Sequence, residues 1–126
     1  MFRQIDSRSP TPLYAQIAGR LRVAVATGEL VPGVPLPSVR LLAAEIRVNP
    51  ATVVQAYREL ERDGLVESRQ GAGTFVREVA EPRRATERQR EARRLVQRLL
   101  AEASGLGLRE DDLQQAWKRE TGGTPR

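Results

Sequence analysis

LPSVRLLAAEIRVNPATVVQAYRELERDGLVESRQGAGTFV, residues 36–76, is the stretch whose reading decides the fold. Ser38 is a helix cap, and in the run that follows Val39, Leu42 and Ala43 or Ile46 share one face while Arg40 is left on the other. Arg47-Val48 makes a tight connection. Asn49 and Pro50 then repeat the start signal, a cap followed by proline at the first helical position, where its missing N–H removes no bond. From Val53, an advance of about 100° per residue gathers Ala56, Tyr57 and Leu60 into one apolar sector. The same advance turns Ala51, Gln55, Arg58 and Arg62 the opposite way, with Thr52 and Val54 on the flanks. Gly64 ends that helix. Leu65-Val66-Glu67-Ser68 alternates as a strand, Arg69-Gln70-Gly71-Ala72-Gly73 is a turn whose glycines permit positive φ, and Thr74-Phe75-Val76 returns as the partner strand. The order is helix, turn, helix, wing. A two-stranded hairpin is not stable alone, so it is expected to lean on the helices through Leu65 and Phe75.

The outer face of the helix that starts at Asn49 carries chemistry. Its first turns hold small or polar uncharged residues, and the acids Glu59, Glu61 and Asp63 come only at the far end. Small polar side chains suit close approach to base edges, whereas carboxylates in those turns would repel phosphate. The distribution favours a DNA-facing N-terminal half.

Outward from this stretch, Thr11-Pro12 has the form of a cap and first helical residue. Leu13, Ile17, Leu21 and Val25, with Tyr14 and Ala18, then form an apolar face, and Gln16, Arg20 and Arg22 fall mainly elsewhere. Phe2 and Ile5 can tack the N-terminal arm onto the body. Gly28 stops the helix, and the segment TGELVPGVPLP, residues 27–37, is a loop stiffened by its prolines. On the other side, Glu81-Pro82-Arg83-Arg84 marks a break. It divides an N-terminal domain, residues 1–79, from a helical tail, residues 80–126. In the tail a helix runs to Ala103, with Ala92, Leu95, Val96, Leu99, Leu100 and Ala103 as an apolar stripe in its second half. The residues 104–107, Ser-Gly-Leu-Gly, stop it. A short last helix from Leu108 to about Glu120 turns Leu113, Ala116 and Trp117 inward.

Composition narrows the function classes. The 126 residues amount to about one domain plus an appendage. Twenty-one basic against sixteen acidic residues leave +5, and all the bases but Lys118 are arginine, which suits a polyanionic partner. There is no cysteine and no histidine. Disulfides, thiolate chemistry, imidazole bases and the usual zinc sites are therefore excluded, and no cofactor or enzymatic activity is expected. Glu110, Asp111 and Asp112 sit where a helix start stabilises acids, so they are read as a helix-dipole feature and not as a metal site. No apolar run reaches the roughly 20 residues of a membrane span, and the N-terminus has no signal-peptide stretch, so a cytoplasmic location is expected.

Together, PLYAQIAGRLR (12–22), the LPS-x-R-x-L element, NPATV, the Y-x-x-LE-x-x-G run and R-x-G-x-GTFV closely resemble the winged helix-turn-helix domain of the GntR family of bacterial transcription regulators. The short two-helix tail resembles the YtrA-like branch. The resemblance implies a mainly α fold with a small β-hairpin wing, the helix from Asn49 in the major groove and the wing tip in the neighbouring minor groove. It assigns DNA contacts to Ser38, Arg40, Asn49, Pro50, Ala51, Thr52, Gln55 and Arg58, with Arg40 on phosphate or a guanine edge and Arg58 on phosphate. Arg69, Gln70 and Gly71 form the wing tip. Related regulators often carry arginine near the start of the recognition helix, whereas this chain has Pro50, Ala51 and Val54. That shifts weight onto Arg40, Gln55 and DNA shape, and leaves Ala51 or Val54 to face thymine methyls.

The expected function is a repressor that binds an inverted-repeat operator on double-stranded DNA as a homodimer. One tail helix cannot bury Leu95, Leu99, Leu100 and Ala103 against itself, and Leu113 with Trp117 covers only part, so a second copy supplies the remainder. Two-fold symmetry spaces the half-sites about 34 to 36 Å apart. The resemblance also suggests autoregulation and control of a neighbouring membrane-transport operon. The tail is too small to enclose a ligand cavity of about 300 to 1,000 Å³ within one subunit, so any small-molecule effector is expected at the dimer interface or between tail and DNA-binding domain. The alternative from another class is a winged-helix protein-interaction or RNA-binding module. Steep salt dependence and preference for one duplex sequence separate the two.

Overall fold

The computed structural model describes residues 1–2 and 5–123. Its elements are helices α1 (Leu13–Thr27), α2 (Val39–Ile46), α3 (Pro50–Arg62), α4 (Glu81–Leu106) and α5 (Glu110–Thr121), with strands β1 (Val66–Arg69) and β2 (Gly73–Val76) between α3 and α4. The chain divides into two compact units, Met1–Glu91 and Ala92–Arg126. The division falls inside α4, so the first turns of that helix go with the N-terminal unit and not with the tail to which the sequence reading gave residues 80–126.

The core of the N-terminal unit is built by the faces that periodicity predicts. Ile17, Leu21 and Val25 of α1 meet Leu42 and Ala43 of α2, Val53, Ala56, Tyr57 and Leu60 of α3, and Leu65, Val66 and Val76 of the hairpin. Burying one such aliphatic side chain contributes about 1.5–3 kcal/mol, which is why a domain this small can form from three helices and a wing. Phe2 and Ile5 pack against this core as expected. Gln16 ties the arm down as well. Its Nε2 donates to the carbonyls of Asp6 and Thr11, both at 2.8 Å, and its Oε1 accepts from the Asp6 N–H.

Four local expectations change. Thr11 is not the cap of α1: Pro12 flanks the helix in extended geometry, and its carbonyl accepts from the Ala15 and Gln16 N–H groups. Residues 33–36 are not simply loop. Gly33 and Leu36 donate to the carbonyls of Val76 and Thr74 at 2.8 Å, and Val76 donates to Val34 at 2.9 Å, so this segment is a third rung beside β2. The wing therefore rests on the chain preceding α2, with Leu65, Val66 and Val76 buried, while Phe75 is only half-buried. Finally, α4 passes through Gly105 and ends at Gly107, where Leu108 N–H bonds Ala103 O and Gly107 N–H bonds Ser104 O. The left-handed residue is Gly107, at φ 81°, and it closes the helix without a Cβ penalty.

The largest departure is Arg22. Its helical position suggests solvent, yet its side chain is 1% exposed. The guanidinium bonds Asp63 at the end of α3, and lies 3.6 Å from a Glu87 carboxylate oxygen and 3.8 Å from one of Glu91, both on α4. Glu87 is itself 3% exposed. The same approach explains Gly19, whose missing side chain leaves room for the Glu91 carboxylate: a Cβ there would stand 2.7 Å from Oε2. Arg88 donates to the carbonyl of Ala26 in the last turn of α1 at 3.0 Å, and Arg83 donates to the carbonyl of Asp63. Glu87 and Glu91, with Arg83 and Arg88, thus pack the start of α4 against α1 and the end of α3 through charged groups.

In the second unit, α5 starts with the Arg109 N–H donating to the Asp112 carboxylate at 2.8 Å. Its acids occupy the first turn, where the helix dipole favours them. Ala103 is buried, but Leu95, Val96, Leu99, Leu100 and Trp117 are exposed, and Leu113 is half-buried. Ala116 and Trp117 thus do not face inward within one chain. No helix among the described residues is long and apolar enough to cross a membrane.

Candidate nucleic-acid interface

Two caps set the geometry of the α2–α3 pair. Ser38 Oγ accepts from the Leu41 N–H at 3.2 Å, and Asn49 Oδ1 accepts from the Ala51 N–H at 2.8 Å. Each satisfies a donor that the helix start would otherwise leave open, worth about 1 kcal/mol. Tyr57 fixes α3 against the segment before α2 by donating to the Pro37 carbonyl at 2.7 Å. Burial pushes its phenol well above the ordinary value, so it is a core donor and not an acid or base of any site.

With Val53, Ala56, Tyr57 and Leu60 committed to the core, α3 presents the opposite face. Asn49, Pro50, Ala51, Gln55 and Arg58 are exposed, and Thr52 is half-buried. Ser38 and Arg40 of the α2 start are exposed as well. The acids at the far end of α3 are used for scaffolding. Glu61 accepts from the Ser68 hydroxyl at 2.9 Å and so ties β1 to the helix, Glu59 lies 3.9 Å from Arg62, and Asp63 holds Arg22. The leading turns are left free of carboxylates.

The wing is an antiparallel pair in which Val66 faces Val76 and Arg69 faces Gly73. Its turn closes with the Ala72 N–H on the Arg69 carbonyl at 2.9 Å and Gly71 at φ 76°, a position that favours glycine. Arg69, Gln70 and Gly71 are exposed at the tip. Arg69 is not loose, however. Its guanidinium lies 4.3 Å from the Phe75 ring centroid and donates to the Glu67 carboxylate at 2.8 Å and 3.1 Å. The expected contact residues thus fall into two exposed sets, the start of α2 with the leading face of α3, and the wing tip.

Sequence reading missed the Arg22 cluster. The signal was present in α1, where Gly19, Arg22 and Ala26 follow at three- and four-residue spacing, and in α4, where Glu87 and Glu91 are four apart. A second stripe on an already amphipathic helix marks a helix covered on two sides.

A capped helix-turn-helix whose second helix shows an uncharged leading face, followed by a paired wing, defines a winged helix-turn-helix protein. This chain belongs to the GntR family of bacterial regulatory proteins, whose family model matches residues 13–76. It is similar to the HTH-type transcriptional repressor YtrA of Bacillus subtilis, 49% identical over 77 residues that make up 61% of this chain and 59% of that relative. The match thus spans about three fifths of the curated relative's length. Among solved structures, a GntR family transcriptional regulator from Listeria monocytogenes aligns with TM-score 0.64 at 30% identity, covering 92% of this chain and 98% of that one. The DNA-binding domain of AraR in complex with operator ORR3 aligns with TM-score 0.51 at 31% identity, over 56% of this chain and 86% of that one.

Proposed function

We propose that this chain is a sequence-specific, DNA-binding transcriptional repressor that acts in the cytoplasm as a homodimer on an inverted-repeat operator. The observation that carries the reading is the exposed, carboxylate-free leading face of α3, flanked by Arg40 and Arg58 and followed by a wing. The likeness to a DNA-binding domain solved with its operator supports the same docking. In it, Asn49, Pro50, Ala51, Thr52 and Gln55 meet base edges in the major groove. Ser38, Arg40 and Arg58 hold the backbone, and Arg69, Gln70 and Gly71 enter the adjacent minor groove.

The exposed apolar face of the second unit supports the dimer. Leu95 is 59% exposed, Leu99 46%, Leu100 44% and Trp117 45%. Burying each leucine fully would contribute about 1.5–3 kcal/mol, and a second copy of the same face, with Leu113 beside it, is the partner of matching chemistry. Ala103 is already covered within its own chain and adds little to that contact. A cleft lined by Val25, Leu30, Pro32, Arg77 and Arg84 holds about 130 Å³, well under the roughly 300–1,000 Å³ of a ligand site. That cleft is too small for a typical effector, and the dimer interface is kept as the place for one.

Footprinting on the DNA upstream of the protein's own gene tests the whole reading. A protected inverted repeat with half-sites about 34 to 36 Å apart is expected. Binding that ignores duplex sequence, or that prefers RNA, would favour the alternative of a general winged-helix interaction module. For the dimer, Leu99→Glu is expected to sediment as a monomer, and an intact dimer would remove this face from the interface.

A further inference from the structure

The connection between α2 and α3 holds a residue in a conformation its side chain does not favour. Arg47 is the C-cap of α2, at φ 58° and ψ 51°, and among the described residues it is the one non-glycine residue with positive φ. The turn needs that geometry. With Arg47 left-handed, its own N–H and that of Val48 both reach the Ala43 carbonyl, the latter at 3.0 Å, so α2 closes and Asn49 can cap α3 two residues later. Glycine adopts this region freely and asparagine with little strain, because its short side chain bonds locally, whereas arginine has neither advantage. Arginine at this position therefore gains nothing for the fold.

Its surroundings show no internal use for the charge. Arg47 is exposed, and among the described residues no hydrogen bond or ion pair engages its guanidinium, although Glu45 is close in sequence. Val48, the other residue of the connection, is half-buried against the core, so Arg47 is the one that offers its side chain to solvent. Arg40 and Arg58 share this condition. By contrast Arg20, Arg22, Arg83, Arg84 and Arg88 of α1 and α4 are held by carboxylates or carbonyls. The unpaired cations of the helix-turn-helix thus lie at the start of α2, in the connection and on the exposed face of α3.

We infer that Arg47 is a fourth backbone-contact residue of this helix-turn-helix, beside Ser38, Arg40 and Arg58, which clasps a DNA phosphate beside the groove that α3 enters. The inference rests on the DNA-binding reading above. A guanidinium offers two parallel N–H donors to a phosphate, a contact that positions the protein on any sequence and specifies none. Removing it should weaken specific and non-specific duplexes alike, and should reduce the slope of log affinity against log salt by about 0.9, the share of one phosphate.

The test compares wild type with Arg47→Asn, Arg47→Lys and Arg40→Ala by fluorescence anisotropy. The probes are the footprinted upstream duplex and a mixed-sequence duplex of equal length, over about 50 to 200 mM salt. Arg47→Asn should melt at or above the wild-type temperature, bind both duplexes roughly three- to tenfold more weakly and lose about one unit of salt slope. Arg47→Lys should keep the slope. If Arg47→Asn retains wild-type affinity and slope while Arg40→Ala loses both, the Arg47 contact is refuted and the DNA-binding reading stands. If wild type itself binds neither duplex in a salt-dependent way, both fall together. A lower melting temperature for Arg47→Asn at unchanged salt slope would mean that the side chain serves the fold, and would also overturn the inference.

Discussion

On the α1–α4 side of the N-terminal unit, Arg22 is buried among Asp63, Glu87 and Glu91, while on the α2–α3 side Arg40, Arg47 and Arg58 stand exposed with no ion pair among the described residues. One residue type, in one small unit, is used in two ways. The difference is the supply of carboxylates. Around Arg22 there are three, one of them on the last residue of the α3 cap, and burial makes their company obligatory because an unpaired charge away from water is very costly. On the α2–α3 side no carboxylate among the described residues is ion-paired with Arg40, Arg47 or Arg58, Glu59 and Glu61 being turned to Arg62 and Ser68, so these cations keep their charge available to an anion from outside. The wing lies between the two cases: Arg69 is exposed, but it is stacked on Phe75 and bonded to Glu67.

The comparison can be broken most forcefully at Arg22. Arg22→Ala removes the buried cation that faces Asp63, Glu87 and Glu91 and leaves Glu87 only its contacts with the more exposed Arg83 and Arg90; it is expected to destabilise the fold by about 3 kcal/mol in urea or thermal unfolding. A loss under about 1 kcal/mol would mean the cluster is an ordinary surface pair after all. The opposite outcome is expected at Arg40, where Arg40→Ala should lower operator affinity tenfold or more at fixed salt, about 1.4 kcal/mol, with the unfolding midpoint unchanged. Unchanged affinity in a mobility-shift titration would refute its assignment, and a shifted midpoint would blur the distinction between the two sides.

The smallest effect sharpens the intermediate case. Glu67→Gln removes the charge that holds Arg69 and should raise duplex affinity about two- to threefold, with a steeper salt dependence and a stability change within about 0.5 kcal/mol, as for an exposed pair. Weaker binding would show instead that Glu67 presents Arg69 to DNA in the needed pose.

Much of the α2–α3 side was readable in the sequence because its determinants are local. Ser38 and Asn49 bond N–H groups three and two residues on, and the side of α3 left for solvent follows from 3.6-residue periodicity once Val53, Ala56, Tyr57 and Leu60 are assigned to the core. The expected contact residues lie where that arithmetic puts them, on an exposed face. Sequence reading failed where a residue's role depends on a distant segment. Only the small residues Gly19 and Ala26 on its stripe set Arg22 apart from Arg20, which is half-exposed and pairs with Glu29 at 2.8 Å, and the carboxylates that bury Arg22 lie far along the chain. The role of residues 33–36 beside β2 was hidden for the same reason, since a proline-rich segment carries no periodicity to announce a strand rung.

The sequence by itself therefore determined the order of elements, the caps, the core faces and the face of α3 that is offered to solvent, because each is decided within a few residues by backbone hydrogen bonding and amphipathic spacing. Only the tertiary structure decided which charges are spent inside the molecule and which remain for a partner. An arginine's fate depends on which carboxylates the fold brings within a few ångströms, and Arg22 meets the first of its own 41 positions further along the chain.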